Sequence, residues 1–286
     1  MRRTAALDAS TFVAPGAGLR LTADHWPSDA GQPVILSHGG GQTRHAWGAT
    51  ARVLAARGYN VTNLDLRGHG DSDWAPDGDY GLDAYRDDLR AVLAQLDRPA
   101  VLIGASLGGM ASMLVAGEGP RDAVKALVLV DITHAPAPGG VEKIQAFMTA
   151  NRDGFASVEE AADAVAAYLP HRPRPRDPSG LMKNLRERGG RLHWHWDPAF
   201  TTNIGRRRLT DDDRLERAAR AITAPTLLVR GDQSDIVSAE DAASFLTLIP
   251  HARVVEVVGA AHMVAGDQNT VFGDALLGFL EESAPV

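Results

Sequence analysis

Pro99-Ala100-Val101-Leu102-Ile103-Gly104-Ala105-Ser106-Leu107-Gly108-Gly109 is the stretch that decides the fold of this chain. Pro99 to Ile103 is a short apolar run with the composition of a buried strand, and Gly109 to Ala116 has that of a buried helix. Gly-x-Ser-x-Gly therefore stands where a strand must turn sharply into a helix. The central residue of such a turn takes a strained backbone, and its flanks pack too tightly for bulky side chains. Gly104, Ala105, Gly108 and Gly109 meet that demand. The turn lifts the Ser106 hydroxyl clear of the sheet and aims the first amides of the helix at whatever the hydroxyl attacks. With strand before and helix after, a nucleophile is favoured over a serine in an ordinary glycine-rich loop.

Outward from this turn, short β-branched runs alternate with Ala- and Leu-rich segments of helical period. The runs are Val34 to Ser37, Val61 to Asp65, Ala100 to Ile103, Ala126 to Val130, Thr226 to Arg230 and Arg253 to Val258. Such alternation is the mark of an α/β fold, a parallel sheet flanked by helices. Ser10 to Ala14 and Leu19 to Asp24, separated by Pro15-Gly16-Ala17-Gly18, read as an opening hairpin and bring the expected sheet to about eight strands. The alternation lapses between Val130 and Pro225, where a compact domain needs only a short connection. Something is inserted after the sixth strand. Val141 to Asn151, Val158 to Leu169 and Leu181 to Arg188 read as its helices, with a proline- and arginine-rich loop from Pro170 to Pro178. The expected organisation is a core of residues 1–135 and 216–286 carrying a mostly helical cap of residues 136–215.

A serine hydroxyl is protonated at neutral pH and needs a base within hydrogen-bond reach, which in turn needs an orienting acid. Of ten histidines, His262 has the right place: Gly259-Ala260-Ala261-His262 follows the last strand, in the chain order Ser, Asp, His. For the acid, Asp232 and Asp235 compete in the loop after Thr226 to Arg230. Asp235, followed by the apolar anchors Ile236 and Val237, is preferred, with Asp131 third. The oxyanion formed at an attacked carbonyl needs preorganised amides. Leu107 supplies one from the turn itself, and Ser37-His38-Gly39-Gly40-Gly41-Gln42 offers Gly40 as the second, with Gly41 in reserve. A phosphate-binding reading of this loop lacks the Lys-Ser/Thr that a P-loop carries.

A net charge of −7, with 29 basic and 36 acidic residues interspersed, leaves no electrostatic footprint for nucleic acid or an anionic membrane. The chain has no cysteine, which removes disulfides and thiol catalysis. Neither a secretory leader nor a long apolar span is legible, so the expectation is a soluble, cytoplasmic protein. Whether it forms a homodimer is not written in the sequence.

These motifs together resemble the α/β-hydrolase superfamily, in its capped, epoxide-hydrolase-like branch with serine in place of the aspartate nucleophile. The resemblance rests on His38-Gly39 with Trp47 nine positions after the histidine and on Asp65-Leu66-Arg67-Gly68-His69-Gly70-Asp71-Ser72. The turn at Ser106, the Asp235 loop and Gly259 to His262 complete it, so that it spans essentially the whole chain. It implies a serine hydrolase working through an acyl-enzyme, with Ser106 as nucleophile, His262 as base and then acid, Asp235 as orienter and no cofactor. It also implies that Asp65 to Ser72 is a structural loop without catalytic charge.

The expected substrate is a small or medium, largely apolar carboxylic ester or lactone. Trp194 and Trp196, in His193-Trp194-His195-Trp196-Asp197-Pro198, are candidates for an apolar pocket wall, and Gly41 and His134 for further lining. His193 and His195 lack an accompanying ligand cluster, so no metal is expected. The same triad also serves carbon–carbon bond hydrolases, perhydrolases and acyltransferases. A ligand receptor on the same fold is a third possibility.

Overall fold

The apolar runs assemble into one eight-stranded sheet in a computed structural model that describes residues 9–170, 174–204, 212–260 and 270–286. In chain order its strands are β1 Ser10–Pro15, β2 Arg20–Trp26, β3 Pro33–Ser37, β4 Asn60–Leu64, β5 Ala100–Ala105 and β6 Val124–Val130. Two more, β9 Thr226–Gly231 and β10 Arg253–Val257, follow the insert. The spatial order is β1-β2-β4-β3-β5-β6-β9-β10. Only the pairings of β2 with β1 and β4 are antiparallel; every other neighbour pair is parallel.

The period-2 alternation of the strands sorts their side chains between two cores. Ile35, Leu102, Leu129 and Leu228 face one side, with Tyr85 and Leu89 of α2 (Leu82–Leu93), Met113 and Leu114 of α3 (Ser106–Glu118) and Leu215 of α7 (Asp212–Ala221). Val34, Val101, Val128 and Val229 face the other, with Leu54 of α1 (Gly48–Ala56) and Leu276 and Phe279 of α9 (Thr270–Ser283). The central strands are buried on both faces, which is why they read as continuous apolar runs rather than alternating ones. Among the described residues no helix is long and apolar enough to cross a membrane.

After β3 the chain goes to β4 on one side of it and then to β5 on the other. The loops leaving the carboxyl ends of β3 and β5 therefore diverge and open a crevice, the place where open α/β sheets take their ligands. Register puts Ser37 of β3 beside Gly104 of β5, and Ala105 of β5 beside Val130 of β6.

Between β6 and β9 the inserted segment contributes α4 Pro138–Thr149, α5 Val158–Tyr168, a 3-10 turn Ser179–Asn184, strands β7 Leu185–Arg188 and β8 Arg191–Trp194, and α6 Pro198–Ile204. The helix expected over Leu181 to Arg188 is not there. Gly189 and Gly190 adopt φ of +57° and +74°, the left-handed pair of a two-residue hairpin turn, and Leu185 and Glu187 pair across it with Trp194 and Leu192. The expected cap limit at residue 215 falls inside α7, whose Ala218 carbonyl lies so close to Gly117 of α3 that any Cβ there would sit 2.1 Å from it.

Candidate active site

Ser106 sits at φ +45°, and Asp131, at the end of the adjacent strand β6, at φ +51°. Among the described residues only Asn151 joins them as a non-glycine residue with positive φ. Left-handed backbone costs a side-chain-bearing residue free energy of about 1 to 3 kcal/mol and persists where the surroundings over-determine it. The reason at Ser106 is visible. A Cβ on Gly104 would fall 2.5 Å from the Gly108 carbonyl oxygen, and one on Gly109 2.4 Å from the Ile132 side chain. Sheet and helix meet with no space between them, so the strain is forced onto the residue that joins them.

Because Ala105 and Val130 pair across the parallel ladder, Ser106 and Asp131 leave the sheet side by side. Asp131 is fully buried. Its Oδ1 accepts the Gly231 N–H at 3.2 Å and its Oδ2 the Ser234 hydroxyl at 2.5 Å.

The two carboxylates of the next loop face elsewhere. Asp232 accepts the Gly259 N–H at 2.8 Å, a bond that ties the loop after β9 to the one after β10. Asp235 bonds Lys143 Nζ of α4 at 2.8 Å with a side chain 40 % exposed. The expected acid is thus a surface ion-pair residue, while the third-ranked candidate is the buried neighbour of the serine. His262, the expected base, lies outside the described residues.

The loop after β3 approaches Ser106 from the other side, since a Cβ on Gly39 would be 3.3 Å from that of the serine. Gly39 N–H donates to Gln42 Oε1 at 2.9 Å, and Gly108 N–H donates to the His38 carbonyl at 3.2 Å. The N–H of Gly41, the reserve candidate for an oxyanion donor, is already bonded to His69 Nε2 at 3.1 Å.

His38 and His69 are fully buried. Burial pushes the first down to about 4 and the second, helped by its neighbour His38, down to about 3, so both are neutral. Asp65, in the loop read as structural, accepts the Arg44 N–H at 2.7 Å and pairs with its guanidinium.

A cavity of about 360 Å³ lies over Ser106, between the sheet ends and the inserted segment. Gly40, Gly41 and Leu107 line its floor; Phe147, Trp194 and Trp196 line its roof. The two indoles stack at 5.2 Å, and Phe147 stacks on Tyr168 at 4.3 Å. Burial raises the Tyr168 phenol to about 12, leaving it a neutral donor in an otherwise apolar wall. The opposite flank is polar, where Thr43 Oγ1 donates to Asn184 Oδ1 at 3.0 Å beside His45 and Lys183. His134 is not among the lining residues, because its ring stacks on Phe245 of α8 (Ala239–Leu248) at 6.4 Å.

Sequence reasoning passed over the polar flank and the buried His69, and it weighed the insert's buried His195 only as a metal ligand. The bonds of these two histidines to Gly41 span 28 and 154 positions of the chain, and no spacing rule reaches them.

A family model described as alpha/beta hydrolase fold matches residues 32–267. The esterase Rv0045c of Mycobacterium tuberculosis is 33 % identical over 270 residues, covering 91 % of this chain and 86 % of its own. The 3-hydroxybutyrate-oligomer hydrolase of Cupriavidus necator is 29 % identical, covering 86 % and 88 %. The crystal structure of E-2-(acetamidomethylene)succinate hydrolase superposes with a TM-score of 0.85 at 26 % identity, over 96 % of this chain and 99 % of that one. Strained serine, diverging strand ends and a cavity over the serine agree with these likenesses: the chain belongs to the alpha/beta hydrolase fold family and is a serine hydrolase of that fold.

Proposed function

We propose that this enzyme hydrolyses small or medium, largely apolar carboxylic esters or lactones through an acyl-enzyme on Ser106. The observation that carries the proposal is the strained Ser106 at the floor of an aromatic-walled cavity. The hydroxyl attacks the ester carbonyl while His262 takes its proton. The resulting oxyanion meets the amides of Gly40 and Leu107, interactions worth about 3 kcal/mol each in barrier height. Collapse breaks the acyl–oxygen bond, and His262 returns the proton to the departing alkoxide. Water, activated by the same imidazole, then releases the acid. The chemistry balances with water alone and calls for no cofactor.

The orienting acid in this proposal is Asp131 rather than Asp235. A carboxylate that holds an imidazolium must be buried and fixed by other donors. Asp131 is held in that way by Gly231 and Ser234, whereas Asp235 is half in water and occupied by Lys143. The inserted segment serves as a cap whose aromatic wall receives the apolar part of the substrate, with the Thr43–Asn184 flank facing its polar part.

The test is turnover of a panel of short aryl esters and lactones by wild type and Ser106→Ala. Hydrolysis lost in the variant by about 10⁴-fold or more supports the proposal. A folded wild type that turns over none of them overturns it, in favour of carbon–carbon hydrolysis or ligand reception on the same fold.

A further inference from the structure

Three consecutive peptide planes of the oxyanion loop are each held by a different buried histidine. His38 Nδ1–H donates to the Gly39 carbonyl at 2.8 Å. The peptide is planar, so fixing that carbonyl also fixes the Gly40 N–H on its far side. His69 Nε2 accepts the Gly41 N–H at 3.1 Å and so holds the next plane. His195 Nε2–H donates to the Gly41 carbonyl at 3.4 Å and holds the third.

Each ring also uses its other nitrogen. His38 Nε2 accepts from Leu66 N–H at 3.0 Å, His69 Nδ1–H donates to the Arg67 carbonyl at 2.9 Å, and His195 Nδ1 accepts from Gly70 N–H at 2.7 Å. A neutral imidazole offers one donor and one acceptor, and all three rings are saturated in that form. They stand in a row, His38 to His69 at 5.2 Å and His69 to His195 at 5.8 Å.

His38 and His69 come from the core, but His195 comes from the inserted segment and is 1 % exposed. Asp197, two residues on, anchors the same stretch by donating its N–H to the Gly68 carbonyl at 2.9 Å and accepting the Tyr80 hydroxyl at 2.5 Å. We infer that His195 is a positioning residue for catalysis: its ring, seated between Gly70 and Gly41, holds the loop that carries the Gly40 amide. This role rests on the ester-hydrolase proposal above, because it is the oxyanion that the aimed amide serves.

The experiment compares wild type with His195→Asn, whose amide keeps an acceptor for the Gly70 N–H at the level of Nδ1 but stops short of Gly41. Should that variant not fold, His195→Gln, whose amide nitrogen at the level of Nε2 can still donate to the Gly41 carbonyl, is expected to keep kcat and the inhibition constant within about two-fold, and a roughly 10-fold loss in it overturns the inference. Misaiming one oxyanion donor is expected to lower kcat on a short aryl ester roughly 10-fold or more with KM within about two-fold. The inhibition constant of a boronic acid, which forms a tetrahedral adduct on Ser106, should rise by the same factor as kcat/KM falls. Hydrogen exchange of a peptide covering residues 38–46 should accelerate.

Tyr80→Phe, which cuts the neighbouring anchor without touching the loop, should lower Tm and leave kcat and the boronic acid constant unchanged. His195→Asn with wild-type kcat, inhibition constant and exchange overturns the inference, as does a Tyr80→Phe variant that reproduces the whole pattern. If wild type turns over no ester, the hydrolase proposal fails on that ground, and the exchange comparison still decides whether His195 holds the loop.

Discussion

The floor of the cavity and its roof are built by opposite means. At the floor, Ser106 and Asp131 hold strained backbone, Gly39 to Gly41 are pinned by buried hydrogen bonds, and the carboxylates are enclosed. At the roof, aromatic rings stack on one another, and charged groups there and at its junction with the sheet ends stand in water, as in the pairs Asp163–Arg174 and Asp235–Lys143. The floor determines where a reacting atom and a developing charge can be, and tolerates no displacement. The roof determines what shape of substrate fits beneath it, which packing does without exact angles. The same residue type therefore has different value in the two regions.

The sharpest way to break this comparison is to neutralise one aspartate in each. Asp131→Asn is expected to lower kcat by about 10⁴-fold, the cost of losing the carboxylate proposed to orient the base. Asp235→Asn should stay within about three-fold, since exposed pairs contribute little. Steady-state kinetics on one aryl ester measures both, and equal losses would erase the distinction.

A stability contrast comes next. Arg67 grips Asp88 through two bonds of 2.6 and 2.8 Å beneath the loop that supports His69, and Asp88 is fully buried. Asp88→Ala strands a buried guanidinium and should cost about 3 to 5 kcal/mol. Asp163→Ala, in the exposed pair with Arg174, should change stability by less than about 1 kcal/mol. Urea denaturation reports both.

Acid should loosen the floor in a defined window. His38 and His69 have folded values of about 4 and about 3 against an ordinary 6.5, so below pH 6.5 the unfolded chain takes up protons that the folded one refuses. Stability is complete above that value. It falls as pH drops towards about 4, by up to about 1.4 kcal/mol per pH unit for each ring, until the folded rings protonate as well. Unfolding midpoints at a series of pH values would show the slope, and His69→Gln, which cannot titrate, should flatten it.

Much of the fold was legible because its signals are local. The runs that read as strands are strands to within about two residues, and Ser106 was singled out by glycines no more than three positions away. The hairpin of the insert was missed although Gly189-Gly190 marks it, because the segment before it also fits a short helix and only pairing with Arg191 to Trp194 settles the choice. Asp131 ranked low because its worth comes from enclosure by Gly231 and Ser234, about a hundred positions along the chain. Gly40 was chosen over Gly41 without knowledge of His69, whose ring is bonded to the Gly41 N–H.

By itself, then, the sequence determined the layered α/β architecture, the insertion after the sixth strand and the serine at the sharp turn. Periodicity, glycine and strand length act over a few neighbouring residues and leave their mark there. Only the tertiary structure decided which carboxylate is buried beside that serine, that the Gly41 N–H is bonded to His69, and that His195 reaches Gly41 across 154 positions. Burial and hydrogen-bond partnership are properties of what surrounds a side chain once the chain has closed on itself, and no local pattern records them.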